Sequence, residues 1–180
     1  MAQLDDSPFR SRPPISTKRA LVLLAEGEVD VLGRMPYSSN ATFLVDVCHD
    51  GLLAQGVYKP HRGERPLWDF PSGLYHREAA AFELAEAMGW CFVPPTVVRD
   101  GPLGEGSLQL FIPAHFEQHY FTLREVDGNE LLLQRLCVFD IIVNNTDRKS
   151  GHVLLGEDGC IWAIDNGLSF HAEFKLRTVI

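Results

Sequence analysis

Residues 136–171, LCVFDIIVNNTDRKSGHVLLGEDGCIWAIDNGLSFH, constrain this chain more than any other stretch. They read as an apolar helix, a polar loop, a two-strand hairpin and a second polar turn. The loop carries Asp147, followed by Arg148, Lys149 and His152, and the second turn is Asp165-Asn166-Gly167. Two short apolar runs, 153–155 and 161–164, supply the strands. A hairpin brings the loop before its first strand close to the turn after its second. Asp147 and Asp165 are therefore expected on one side of a small sheet. Paired carboxylates beside backbone turns suit a hard divalent cation that also holds phosphate oxygens and waters.

The helix that leads into this stretch, 129–144, is apolar around most of its circumference. That pattern predicts a helix buried on all sides, and a rigid mounting for the loop after it. The breaker cluster Asn144-Asn145-Thr146-Asp147 ends it.

The first half can be asked for the partners of such a site. Residues 1–15 are polar, contain Pro13-Pro14, and read as a flexible lead. Ser16 is a good N-cap for a helix over 17–26 with Gly27 as its stop. Three strands come next, over 29–34, 42–47 and 52–58, with His49-Asp50-Gly51 as strong turn chemistry. The linker 35–41 is rich in hydroxyl and amide residues; it is either a phosphate-binding loop or a plain turn. Lys59 closes the third strand on the face of Val57 and Leu53, an apolar face where a cation needs a counter-charge or a way out to solvent. A helix over 74–88, stopped by Gly89, puts Glu78 on the same face as Phe82, Ala85 and Met88. Each charge would be costly if buried alone, and together they neutralise one another. As an alternative, Glu78 only favours its helix N-terminus.

Two more strands are expected, over 96–99 and 107–112, then a linker over 114–123. His115 and His119 stand four apart in that linker, a spacing that could hold a metal on a helix but lacks the further ligand of a zinc site.

Composition narrows the class. The chain has 180 residues, 46% hydrophobic and 22% charged, as in an ordinary soluble globular protein. A net charge of −8 argues against broad nucleic-acid binding. No apolar stretch is long enough for a membrane helix, and the N-terminus has no secretory pattern. Cys48, Cys91, Cys137 and Cys160 are scattered through apolar runs and are expected as buried free thiols, which fits a cytoplasmic location.

Phosphoryl transfer needs positioning and charge neutralisation more than covalent chemistry. Its recurring parts are a loop over the phosphates, a strand lysine paired to a helix glutamate, a catalytic-loop aspartate and an Asp-x-Gly metal turn. The chain offers these in order: residues 36–40, Lys59, Glu78, Asp147 and Asp165-Asn166-Gly167.

NNTDRKSGHVLL followed by AIDNGLSF resembles the catalytic core of the phosphatidylinositol 3-/4-kinase-like superfamily. It is similar to type II phosphatidylinositol 4-kinases, with an N-T-D-R loop and an A-I-D-N-G turn, and to HipA-like bacterial kinases with an N-x-D-R-H-x-x-N variant. The segments LGRMPYSSNATFLV and NNTDRKSGH are typical of small actinobacterial members. The resemblance covers most of residues 17–175. It implies an α+β, two-lobed protein-kinase-like fold. An N-lobe over 16–113 would hold an antiparallel sheet with one main helix. A reduced helical C-lobe over 114–180 would look truncated, because few residues come after the Asp165 turn.

By the same resemblance, Asp147 orients or deprotonates a hydroxyl acceptor. Asp165 holds magnesium on the phosphates of ATP. Lys59, held by Glu78, contacts the α/β-phosphates, with Ser38, Ser39 and Asn40 lying over them. Gln109, Leu110, Phe111 and Ile112 form a hinge beside the adenine. Arg148 holds either a phosphate or the catalytic loop itself, or serves only as a structural salt-bridge partner. The family's second metal ligand, an asparagine five residues after the catalytic aspartate, is replaced by His152. Imidazole suits manganese better than magnesium. The expected activity is transfer of the ATP γ-phosphate to a hydroxyl. With no basic amphipathic helix for an anionic membrane, a protein or small-molecule acceptor is favoured over a lipid. The alternatives are a pseudokinase that binds nucleotide or a partner without turnover, and an α+β domain in which both aspartates only cap turns.

Overall fold

The computed structural model describes Phe9, residues 14–36, Ser38 and residues 40–180. Its first helix, α1 (Thr17–Glu26), starts where Ser16 Oγ accepts the Arg19 N–H, and it buries Ala20, Leu23 and Leu24. Burial of a leucine of this kind contributes about 1.5–3 kcal/mol. Gly27 is the C-cap, its N–H donating to Leu23 O, and nothing larger fits there: an added Cβ would stand 2.5 Å from Leu23 O and 2.7 Å from Val47.

Three strands come next: β1 (Glu28–Arg34), β2 (Phe43–His49) and β3 (Leu52–Pro60). Asp50 and Gly51, at φ 47° and 74°, form the β2–β3 turn. Both central residues need positive φ there, which Asp-Gly supplies. With β4 (Thr96–Gly101) and β5 (Gly104–Leu110), these strands make a five-stranded antiparallel sheet in the order β1-β2-β3-β5-β4. Alternation along β3 sends Ala54 and Tyr58 into a core shared with α1, Val45, Val47 and Leu108. Val57 and Lys59 take the other face, which lines a cleft and is not core. Leu53, expected to share an apolar face with them, is exposed.

Helix α2 (Leu74–Ala87) has no side-chain cap of its own. Glu64 substitutes from the preceding loop, its carboxylate accepting the Gly73 and Tyr75 N–H groups at 2.9 Å each. That satisfies two orphan donors and places an anion at the positive end of the helix. Ala81, Phe82 and Ala85 anchor α2 in a second core, made with Phe92, Val93, Leu136, Phe139 and Val153.

The expected linker over 114–123 is structured: β6 (Ala114–His119) and then the short helix α3 (Tyr120–Leu123). His115 and His119 therefore lie on an irregular strand and not on a helix, and the metal reading of their spacing falls. After α4 (Glu130–Ile142), β7 (Val153–Gly156) and β8 (Ile161–Ala163) form the expected antiparallel hairpin, with β6 on the far side of β7. The second half, expected to be mainly helical, is thus a three-stranded sheet with helices beside it.

Two further expectations fail for the same reason: periodicity outranks local hydrophobicity. Helix α4 buries Leu133, Leu136, Phe139 and Asp140, but leaves Leu131, Val138, Ile141 and Ile142 exposed. The four cysteines are free, yet Cys48, Cys91 and Cys160 are exposed and Cys137 is half-buried. Cys48 points away from the face that buries Val45 and Val47. The lead over 1–15 lies mostly outside the described residues, but Phe9 stacks on Phe111 with ring centroids 5.0 Å apart. No helix among the described residues is long and apolar enough to cross a membrane.

Candidate active site in a cleft between the two sheets

A cavity of about 570 Å³ collects residues from both halves. Lys59 projects into it from β3 and makes ion pairs with Glu78 of α2 and, at 2.9 Å, with Asp165 Oδ1. Glu78 is 2% exposed. Its Oε2 accepts the Asn166 N–H at 2.9 Å, so one carboxylate joins the strand lysine to the Asp165-Asn166-Gly167 turn. An added Cβ on Gly167 would stand 3.1 Å from Glu78 Oε1, a close approach of the turn to the carboxylate. Asp165 takes the left-handed region at φ 58°, a conformation aspartate tolerates better than most residues.

Burial works against the Lys59 charge, but Asp165 and Glu78 outweigh it and hold the ammonium above its ordinary range. The Lys59 charge in turn pulls the Asp165 carboxyl well below the usual carboxylate range, against burial and with help from His152. His152 Nε2 lies 3.4 Å from Asp165 Oδ2. Burial pushes the His152 imidazole down, and the Asp165 carboxylate offsets this only in part. A neutral imidazole keeps a lone pair for a metal.

Asp147 lines the same cavity, with Lys149 Nζ 2.8 Å from its Oδ2. Its loop is held from beneath. Arg148 is buried, and its guanidinium donates to Asp140, to Ile164 O at 2.8 Å and to Asn166 Oδ1 at 2.6 Å. Asn145 donates to Asp140 Oδ1 at 3.1 Å and accepts the Asp147 N–H at 3.0 Å. Thr178 Oγ1 donates to the other Asp140 oxygen, and the Arg148 N–H donates to Arg177 O. Of the three roles open for Arg148, these contacts match the structural salt bridge, with Asp140, and the holding of the loop. The sequence reading missed Asp140, although a carboxylate on an otherwise apolar helix face is a signal of a buried, paired group.

Ser38 and Asn40 line the cavity; Ser39 lies outside the described residues. Asn40 Oδ1 already accepts the Arg65 N–H at 2.9 Å, and its amide nitrogen has no partner among the described residues. Gln109, Leu110, Phe111 and Ile112 also line it. Gln109 turns its side chain to Thr96 Oγ1, and the Leu110 and Phe111 N–H groups donate to Pro95 O and Gln55 O. Ile112 is 6% exposed, and its N–H makes no hydrogen bond among the described residues. A backbone donor without a partner, in a residue that lines a cavity, is a candidate to meet an acceptor from outside the protein.

Asp165 and His152, 3.4 Å apart, are two neighbouring protein donors available to a metal. Among the described residues no group of three or more His, Cys, Asp or Glu side chains is arranged to hold an ion unaided. A six-coordinate hard cation here would take its remaining ligands from phosphate and water, as magnesium commonly does beside a nucleotide.

No family model matches the chain. A protein of Mycobacterium tuberculosis, Protein Rv2133c, is similar to it, with 42% identity over 192 residues that cover 88% of this chain and 69% of the relative.

Proposed function

The chain belongs to the family of Protein Rv2133c, and from the geometry of its cleft we propose that it is an ATP-dependent phosphotransferase of two-lobed, kinase-like fold. In this reading residues 16–113 and 114–180 are the lobes, and the nucleotide lies between them. The observation that carries the proposal is the closed network of Lys59, Glu78, Asp165 and the Asn166 N–H. It draws on a strand, a helix and a turn far apart in the chain, and it leaves one ammonium facing the cavity.

Lys59, oriented by Glu78, binds the α/β-phosphates. The Ile112 N–H meets an acceptor nitrogen of the adenine. Asp147 takes the proton of the acceptor hydroxyl as its oxygen bonds to the γ-phosphorus. The bond to the β–γ bridging oxygen breaks, and its electron pair leaves with ADP. Lys149, largely exposed, holds Asp147 until the acceptor arrives. A divalent ion held by Asp165 and His152 would neutralise phosphate charge. The acceptor is a protein or small-molecule hydroxyl.

Transfer of label from γ-labelled ATP, and ATP hydrolysis, with magnesium and with manganese, test this. Wild-type activity above that of Asp147→Ala and Asp165→Ala supports it; equal activity of all three removes it. His152, standing where the resembling kinases carry asparagine, favours a second reading, a nucleotide-binding module without turnover. That reading expects ATP to raise the unfolding temperature while no label moves.

A further inference from the structure

Among the described residues, the charged groups that line the cleft are three cations, Lys59, Arg65 and Lys149, against four carboxylates, Glu64, Glu78, Asp147 and Asp165. Nearly all are already committed. Lys59 is shared by Glu78 and Asp165, Lys149 is paired with Asp147, and Glu64 caps α2. Arg65 stands apart: its guanidinium has no carboxylate and no hydrogen-bond partner among the described residues, although it lines the cavity.

Its side chain is exposed, but its backbone is anchored. The Arg65 N–H donates to Asn40 Oδ1, and the neighbouring Gly63 O accepts the Ala41 N–H at 2.9 Å. An added Cβ on Gly63 would stand 2.7 Å from Ala41 Cβ, so the two loops are in close contact. Arg65 is thereby tied to Asn40, in the loop read as lying over the phosphates. A triphosphate entering a cleft with more carboxylates than cations needs an additional positive group. The planar guanidinium fork matches phosphate oxygens in a way an ammonium does not.

We propose that Arg65 is a substrate-binding residue that grips the terminal phosphate of a nucleoside triphosphate, making the cleft selective for the triphosphate over the mono- and diphosphate. The proposal rests on the reading of the cleft as a nucleotide site. Calorimetric titration of the full chain with a non-hydrolysable ATP analogue, ADP and AMP, in the presence of manganese, tests it. Arg65→Ala should weaken the ATP analogue by roughly 10- to 100-fold, as for loss of a charge-assisted contact, and leave ADP and AMP within about twofold. Arg65→Lys should restore part of the loss, because it keeps the charge without the fork. Unfolding temperature should not move, since the side chain has no partner to lose among the described residues. Equal weakening of all three nucleotides, or of none, overturns the role of Arg65 while leaving the nucleotide site standing. Failure of the wild-type protein to bind any of them overturns both.

Discussion

Glu78 and Asn166 stand 88 positions apart, and the Asn166 N–H donates to Glu78 Oε2 at 2.9 Å. The contact makes α2 and the Asp165 turn a single mechanical unit. Arg77, the preceding residue on α2, reinforces it by donating to the carbonyls of Ser169 and Phe170. The position of Asp165 relative to Lys59 is therefore set by how α2 sits, and α2 is seated by Phe82 and Ala85 in the second core.

The Lys59–Glu78 pair should be visible as a coupling energy. Lys59→Met strips a buried carboxylate of its counter-charge and should cost about 3 kcal/mol. Glu78→Gln in the Lys59→Met background should recover part of this, because the amide oxygen still accepts the Asn166 N–H. Urea unfolding of the four-member cycle measures it. Additive single and double mutants would mean that the pair is not formed in solution.

Arg148 should prove structural. Its side chain and that of Asp140 are both fully buried, and the guanidinium serves Asp140, Ile164 O and Asn166 Oδ1 at once. Arg148→Ala should destabilise by about 3–5 kcal/mol, and a single ammonium in Arg148→Lys should not restore it. Thermal unfolding should drop by roughly 10 °C in both variants. A stable Arg148→Ala protein with altered nucleotide affinity would return Arg148 to a phosphate-binding role.

Much of this arrangement was readable from residue order, because the relevant signals are local. Ser16 and Gly27 bound α1, Asp50-Gly51 sets a hairpin, and an apolar-faced Lys59 with an apolar-faced Glu78 after it asks for pairing. Other features have no local signal. Burial around α4 is decided by which neighbours are present, so apolar composition alone misplaced Leu131, Val138, Ile141 and Ile142. The strand β6 takes its shape from pairing with β7, which lies far along the chain, so residues 114–119 read as a linker. Glu64 as the cap of α2, Arg65 beside Asn40 and Phe9 on Phe111 are likewise contacts between segments whose own sequences do not announce them.

Asp147 should separate function from stability. Its side chain pairs with Lys149, which is largely exposed, and exposed pairs contribute about 0–1 kcal/mol. Asp147→Asn should therefore leave the urea midpoint nearly unchanged. Loss of the general base should lower transfer by roughly 10²–10⁴-fold. An inactive variant that also unfolds early would point to a capping role for Asp147.

Acid stability should fall in two steps, one for His152 and one for Asp165. Burial depresses the His152 pKa, so neutral His152 favours the folded state above its unfolded value of about 6.5, and stability is lost as pH falls from there. Asp165 is depressed chiefly by Lys59, so its contribution is intact above about pH 4 and is lost as pH falls further toward the folded value. Lys59 is raised, so its contribution persists up to its unfolded value of about 10.4 and is lost only at higher pH. Glu78 and Lys149 face the same cleft and remain in every variant compared. Unfolding midpoints measured from pH 8 down to pH 2.5 should show His152→Asn losing the first step and Asp165→Asn losing the second. A gap between wild type and Asp165→Asn that stays constant across that whole range would show that Lys59 and Asp165 do not pair in solution.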